Sequence, residues 1–331
     1  MSTLGLIIAS LIKSVVVMVI LLTGFAYATL LERKLVAGFQ VRLGPNRVGP
    51  WGMLQPLADG IKVAFQEDTI PRGADRIVFM VAPMLSMVMA IVAFAVIPIG
   101  QPVNVFGVTI PLAVADINVG ILYLLGATSL GIYGIVLAGW ASNNKYSLLG
   151  GVRSSAQMIS YELSLGLSLV GVLLITGTLN LGQIVQDQSR IWLIFLQPLG
   201  FIIYFISAMA ETNRAPFDLP EAEHELVAGY HTEYSGMRFA LFQMAEYINM
   251  ITASAVATTL FLGGWHGIFG LADGPWWFFI KVFIFMCLFV WIRATLPRMR
   301  YDRLMNFGWR VLLPVALLNV VLTAGGVLLL G

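Results

Sequence analysis

Eight stretches of this sequence run for about 20 residues or more with scarcely a charge, at roughly 7–31, 78–99, 119–140, 156–176, 191–210, 238–263, 277–296 and 310–330. Nothing else constrains the chain as much. About 20 helical residues rise the roughly 30 Å of bilayer hydrocarbon, and in that solvent each backbone N–H and C=O must be satisfied within the segment. The runs lack the alternating period of a barrel strand. They predict an all-α polytopic membrane protein, a single transmembrane domain over residues 1–331, with about eight spanning helices and short amphipathic helices in its loops. Composition agrees. Charged residues are 11% of the 331, less than half the share in a soluble domain, and too few to cover a globule of this size. The first run has neither a basic leader nor a cleavage site and is too long for a signal core, so it reads as a retained span.

The connections alternate in character. Fifteen of the nineteen Lys and Arg fall in those after spans one, three, five and seven, or at their edges, at about 32–77, 141–155, 211–237 and 297–309. Only Arg190 lies on the other side, and Lys13, Lys281 and Arg293 sit inside spans. Basic loops stay in the cytoplasm, so these four are inner-side loops and both termini are expected on the outer, periplasmic side of a bacterial inner membrane. Loop 32–77 is dense in Gly and Pro from Gly44 to Gly52 and turns amphipathic from Met53 to Glu67. In loop 211–237, Asp218 and Glu221 fit an N-cap and capping box around Pro220 and Gly229 a stop, predicting a short surface helix over 219–228.

Several chemistries are excluded. There is no G-x-G-x-x-G after a strand and no G-x-x-x-x-G-K-[ST], so no common dinucleotide or ATP device is present. The single Cys287 rules out an internal disulfide framework, a four-cysteine zinc site and a self-contained iron–sulfur cluster. His224-Glu225-Leu226-Val227-Ala228 lacks the fifth residue of H-E-x-x-H. His224 and His231 read as surface residues, and His266, beside Trp265, as an interface residue.

Charges inside spans carry the functional signal, because a carboxylate in hydrocarbon costs several kcal/mol. Glu162 lies near the start of span four, Glu246 about two turns into span six, and Glu211 closes span five. Ser154, Gln157, Tyr161, Ser164 and Ser168 share one helical face, and the serines read as inter-helix hydrogen bonders. For Glu162 and Glu246 a proton-conducting role is the better reading. Seven carboxylates lie between Glu211 and Glu246 with only Arg214 and Arg238 among them, which disfavours simultaneous ionisation. At an effective dielectric near 20, a unit charge about 12 Å away acts with roughly 1.4 kcal/mol, and at about 4 Å with about 4 kcal/mol. A row of carboxylates poised in this way could relay a charge placed at one end.

Long polar motifs point further: Glu32-Arg33-Lys34, Gln40-Val41-Arg42-Leu43-Gly44-Pro45-Asn46-Arg47-Val48-Gly49-Pro50, Leu54-Gln55-Pro56 with Asp59-Gly60-Ile61-Lys62, Ser147-Leu148-Leu149-Gly150, Ser160-Tyr161-Glu162, Glu211-Thr212-Asn213-Arg214-Ala215-Pro216-Phe217-Asp218-Leu219-Pro220-Glu221-Ala222-Glu223, Glu233-Tyr234-Ser235-Gly236, Ala245-Glu246-Tyr247 and Arg293-Ala294-Thr295. Almost end to end, the chain resembles the family formed by mitochondrial subunit 1 and its bacterial counterparts in proton-pumping NADH:quinone oxidoreductase, respiratory complex I. Gln66 and His224 depart from the family pattern. The resemblance implies a heel subunit that contacts other complex I membrane subunits and the quinone-proximal peripheral subunits. It implies a chamber for ubiquinone or menaquinone that includes Gln40, Arg42, Asp59, Arg214, Phe217 and Asp218. It also implies a carboxylate path through Glu162, Glu211, Glu221, Glu223 and Glu246, with iron–sulfur clusters and FMN held by partner subunits, no metal here and no catalysis by the isolated chain. The alternative is the homologous subunit of a membrane-bound hydrogenase or ferredoxin-linked ion pump; the Gly/Pro loop favours the quinone enzyme. A stand-alone transporter would predict two similar halves, and no internal repeat is visible.

Overall fold

The computed structural model describes residues 3–105, 108–220, 223–267 and 273–330. Its helices are α1 (Thr3–Phe39), α2 (Gln55–Ala64), α3 (Arg76–Phe94), α4 (Gly120–Ala141), α5 (Lys145–Thr176), α6 (Leu181–Asp187), α7 (Leu193–Leu196), α8 (Pro198–Glu211), α9 (Glu223–Leu226), α10 (Gly236–Phe261), α11 (Pro275–Thr295), α12 (Tyr301–Phe307) and α13 (Leu313–Leu330). Six helical runs are long and apolar enough to cross a membrane: Ser10–Phe39, Arg76–Phe94, Gly120–Ala141, Lys145–Thr176, Pro275–Thr295 and Tyr301–Leu329. The other two expected spans correspond to α10, which is long but polar, and to the broken pair α7–α8. One small hairpin departs from the α pattern among the described residues: strand β1 (Val103–Val105) pairs antiparallel with β2 (Val108–Ile110).

Local chemistry sets the helix ends. Asp75 accepts from the backbone N–H groups of Ile77 and Val78 and starts α3. Asn144 accepts from Tyr146 N and starts α5, which ends at Gly177 with φ +67°. The long inner loop expected over 141–155 is thereby reduced to a turn, and α5 reaches well beyond its expected start at 156. At 1.5 Å per residue its 32 residues extend about 48 Å, so the first turns project beyond the hydrocarbon. The loop expected over 297–309 is also mostly helical, because a π-turn at Gly308–Leu312 fuses α12 to α13. Conversely, span five is interrupted. Pro198 has no N–H to continue the ladder, and the Gln197 side chain instead bonds Asn319 Nδ2 at 3.0 Å and Thr323 Oγ1 at 2.6 Å.

Helices α5 and α10 are the centre. α5 packs on α4, α8 and α13, and α10 on α3, α11 and α1. Half of the apolar window of α5 is buried, against 17% for α1, so α1 lies at the rim. Close approach of α3 and α4 needs Gly134, where a Cβ would stand 2.1 Å from Ser86 Oγ. The buried stripe of α5 forms as expected, but its bonds divide differently. Gln157 and Tyr161 bridge to neighbouring segments, whereas Ser154 and Ser168 bond within α5.

The two ends of the bundle are distinct. At one end Asp75 N donates to Ala141 O, Asn144 bonds Glu233, Arg153 pairs with Glu225 and Arg238 with Asp68. These are the ends expected on the inner side. At the other end Lys281 Nζ donates to the carbonyls of Leu262, Gly264 and His266, and Asp116 accepts from Asn180. His266 lies at this end, paired with Asp273.

Candidate functional site

At the end expected on the inner side, the last turns of α1 and α11 and the first turns of α10 diverge around an open cleft of about 700 Å³. Glu32, Gln40, Arg42, Arg214, Glu246 and Arg293 line it, among others. Glu32 of α1 is 6% exposed and accepts three bonds: Arg214 Nη1 at 2.7 Å, Tyr247 Oη at 2.8 Å, and Arg293 Nη1 on its other oxygen. Arg214 Nε also pairs with Glu246 Oε1 at 2.6 Å, and its guanidinium lies 4.2 Å from the centroid of the Tyr247 ring. Two carboxylates and two guanidiniums therefore balance in charge, with Glu32 and Arg214 the buried pair. Buried ions persist when paired in this way.

The chain geometry that delivers these groups is local. α8 ends at Glu211, Asn213 takes a left-handed φ of +52°, a conformation that Asn tolerates, and the chain turns Arg214 back into the bundle. Past α1, Arg42 Nε donates to Gln40 Oε1 at 2.7 Å. Arg42 thus enters the cleft with an amide rather than a carboxylate partner among the described residues.

Behind the cleft lies a second cavity of about 40 Å³, lined by Glu211, Glu246, Asn213, Asn249, Thr128 and Ser86 among others. Glu246 borders both. Glu211 lies beside Thr128, whose hydroxyl donates to Leu125 O at 3.1 Å, and stands close enough to Glu162 for the two carboxylates to interact. Glu162 in turn accepts from Ser129 Oγ of α4. Glu246, Glu211 and Glu162 thus lie in sequence from the cleft into the bundle.

Of the residues expected in the chamber, Gln40, Arg42 and Arg214 line the cleft. Asp59 stands one step away, bonded to Arg33 at 2.6 Å and to Gln55 at 2.9 Å. Phe217 packs on Tyr161 and its carbonyl accepts from Gln157. Asp218 acts electrostatically on Glu246 and its carbonyl accepts from Arg298. Glu221 lies outside the described residues, and Glu223 is in a helix described over Glu223–Leu226, with turns at 219–220 and 227–228 where the helix expected over 219–228 would begin and end. His231 is not a surface histidine. It packs against Tyr230 and Phe239, and burial lowers its pKa to about 4. Glu32, Tyr247 and Arg293 were not among the expected site residues. The signal was present: Arg293 is a cation inside an apolar run and Glu32 an anion at the end of another, and each needs the other.

The sequence profile described as NADH dehydrogenase matches residues 12–324. The H-type subunit of the NADH-quinone oxidoreductase of Thermomicrobium roseum is 56% identical, over 96% of this chain and 95% of that protein. That of Protochlamydia amoebophila is 57% identical, over 91% and 92%. The second H-type subunit of Geobacter metallireducens is 54% identical, over 96% and 94%.

Proposed function

The chain belongs to the NADH dehydrogenase family as a multi-pass membrane subunit of NADH-quinone oxidoreductase, and from that premise we propose that its inner cleft forms part of the quinone chamber and that Glu246, Glu211 and Glu162 begin the path coupling quinone reduction to proton translocation. The observation that carries this reading is Glu246, which borders both the open cleft and the small cavity leading to Glu211. A volume of about 700 Å³ is within the range of small-molecule sites. Quinone takes up two electrons and two protons to become quinol. In the proposed arrangement the electrons come from iron–sulfur clusters and FMN held by partner subunits.

What this chain supplies is charge. Negative charge developing on the bound quinone is attracted by Arg42, Arg214 and Arg293. Drawing Arg214 toward it weakens the Arg214–Glu246 pair. At an effective dielectric near 20 such a pairing is worth about 4 kcal/mol, and Glu246 makes up its loss by taking a proton. Glu221 and Glu223 join the same acidic segment. The basic ends face the cytoplasm, both termini the periplasm, and the other membrane subunits and lipid cover the exposed apolar faces.

The test uses the assembled enzyme in membranes. Arg42→Ala should raise the quinone KM or lower turnover by about tenfold while NADH oxidation by ferricyanide, carried by other subunits, persists. Loss of both activities with normal assembly would make Arg42 a structural residue.

A further inference from the structure

The helical run from α12 into α13 buries one face and leaves the other open. Leu304, Gly308, Leu312 and Ala316 recur at every fourth position and are buried. Tyr161 Oη donates to Leu304 O and Trp309 Nε1 donates to Ser160 Oγ, each at 3.0 Å, which pins the run to α5. The outward face carries Arg303, Asn306 and Arg310, all exposed. The neighbouring cations are engaged: Arg298 donates to Asp218 O, and Arg300 pairs with Asp302 at 3.0 Å. Arg303 and Arg310 have no hydrogen bond or ion pair among the described residues.

The depth of these groups follows from the sequence. The stretch 311–330 has no charge and is long enough to cross about 30 Å of hydrocarbon. Trp309, 48% exposed, stands at its edge, the boundary that tryptophan favours. Arg303 lies about 10 Å further along the axis, in the polar layer. In line with Arg310, the exposed Pro314, Leu317, Val321 and Leu328 make an apolar track down the rim of the bundle. Two unengaged guanidiniums above such a track complement an amphiphile with an anionic head, and guanidinium forks match phosphate oxygens.

We propose that this face holds an anionic phospholipid, its phosphate between Arg303 and Arg310 and its acyl chains along Leu317 and Val321. Neither arginine belongs to the cleft, so the site is separate from the quinone chamber.

The test uses the assembled enzyme with a photo-crosslinking side chain at Asn306, in vesicles of phosphatidylcholine and phosphatidylglycerol. The cross-link should form with phosphatidylglycerol in preference to phosphatidylcholine by about tenfold or more, since each basic residue at an anionic surface is worth about fivefold. Arg303→Gln with Arg310→Gln should bring that preference close to parity. A cross-link to a polypeptide of another subunit, equal labelling of the two lipids with both arginines present, or a preference unchanged in the double variant overturns the proposal. Should the double variant not assemble, either single variant decides, with an expected fall of about fivefold.

Discussion

Removing the Glu32 carboxylate would take from the buried Arg214 one of its two carboxylate partners and from the more exposed Arg293 its own. Breaking one partner of a buried ion pair costs about 3–5 kcal/mol. Glu32→Ala should therefore lower the thermal stability and the assembly yield of the complex, and adding Arg293→Met should restore part of both; a double variant no better than Glu32→Ala would show that the two charges are not coupled. His231 offers a second test. Burial holds its pKa at about 4 in the fold, whereas the unfolded chain protonates near the ordinary value of about 6.5. Between those values the unfolded state binds more protons, so stability falls as pH drops from about 6.5 to 4. His231→Phe should flatten that part of a melting-temperature-against-pH profile. An unchanged slope would show that His231 contributes nothing to it. At this scale the sequence marked each charge that sits in an apolar run, Glu162, Glu246 and Arg293 among them, although it assigned Arg293 no role. It was least legible in pairing. Glu32 and Arg214 are 182 positions apart, and only the packing of α1 against α10 and α11 brings the ion cluster together.

The elements follow from their local chemistry more closely than from hydropathy. Hydropathy placed α3, α4 and α11 within a few residues. It misplaced the start of α5, because Gly150, Arg153 and Gln157 lower the average there although Asn144 caps a helix that runs through them. It also missed the break at Gln197, where an apolar run continues past a proline. Alternation survives these corrections, since each expected inner loop, shortened or not, joins the same end of the bundle. Cysteines placed at Asn46 and Asp302 should accordingly react with a membrane-impermeant reagent only from the inner side, and a C-terminal tag should be accessible only from outside. Labelling on the opposite faces would reverse the orientation and remove the cleft from reach of the peripheral arm.

Seen as one molecule, the chain joins a charge-balanced cleft at the inner rim to carboxylates within the bundle, and Glu162 is where that row leaves the cleft behind. Its hydrogen bond from Ser129 would suit either a structural acid or a titrating one. Glu→Gln separates the two, because it preserves size and most hydrogen bonding while removing the exchangeable proton. A permanently protonated, purely structural Glu162 would make Glu162→Gln almost silent. A proton-carrying Glu162 would leave the complex assembled and able to oxidise NADH with ferricyanide. Quinone turnover and the proton gradient in sealed vesicles would then fall by about tenfold or more. Glu162→Asp should keep part of the activity, since the acid survives at shorter reach. The same pattern is expected at Glu246, with one difference: Glu246→Gln also releases Arg214, so the quinone KM should change there and not at Glu162. Normal turnover and a normal gradient in both glutamine variants would mean that the protons travel elsewhere, and that these two carboxylates serve only the packing of α5 and α10.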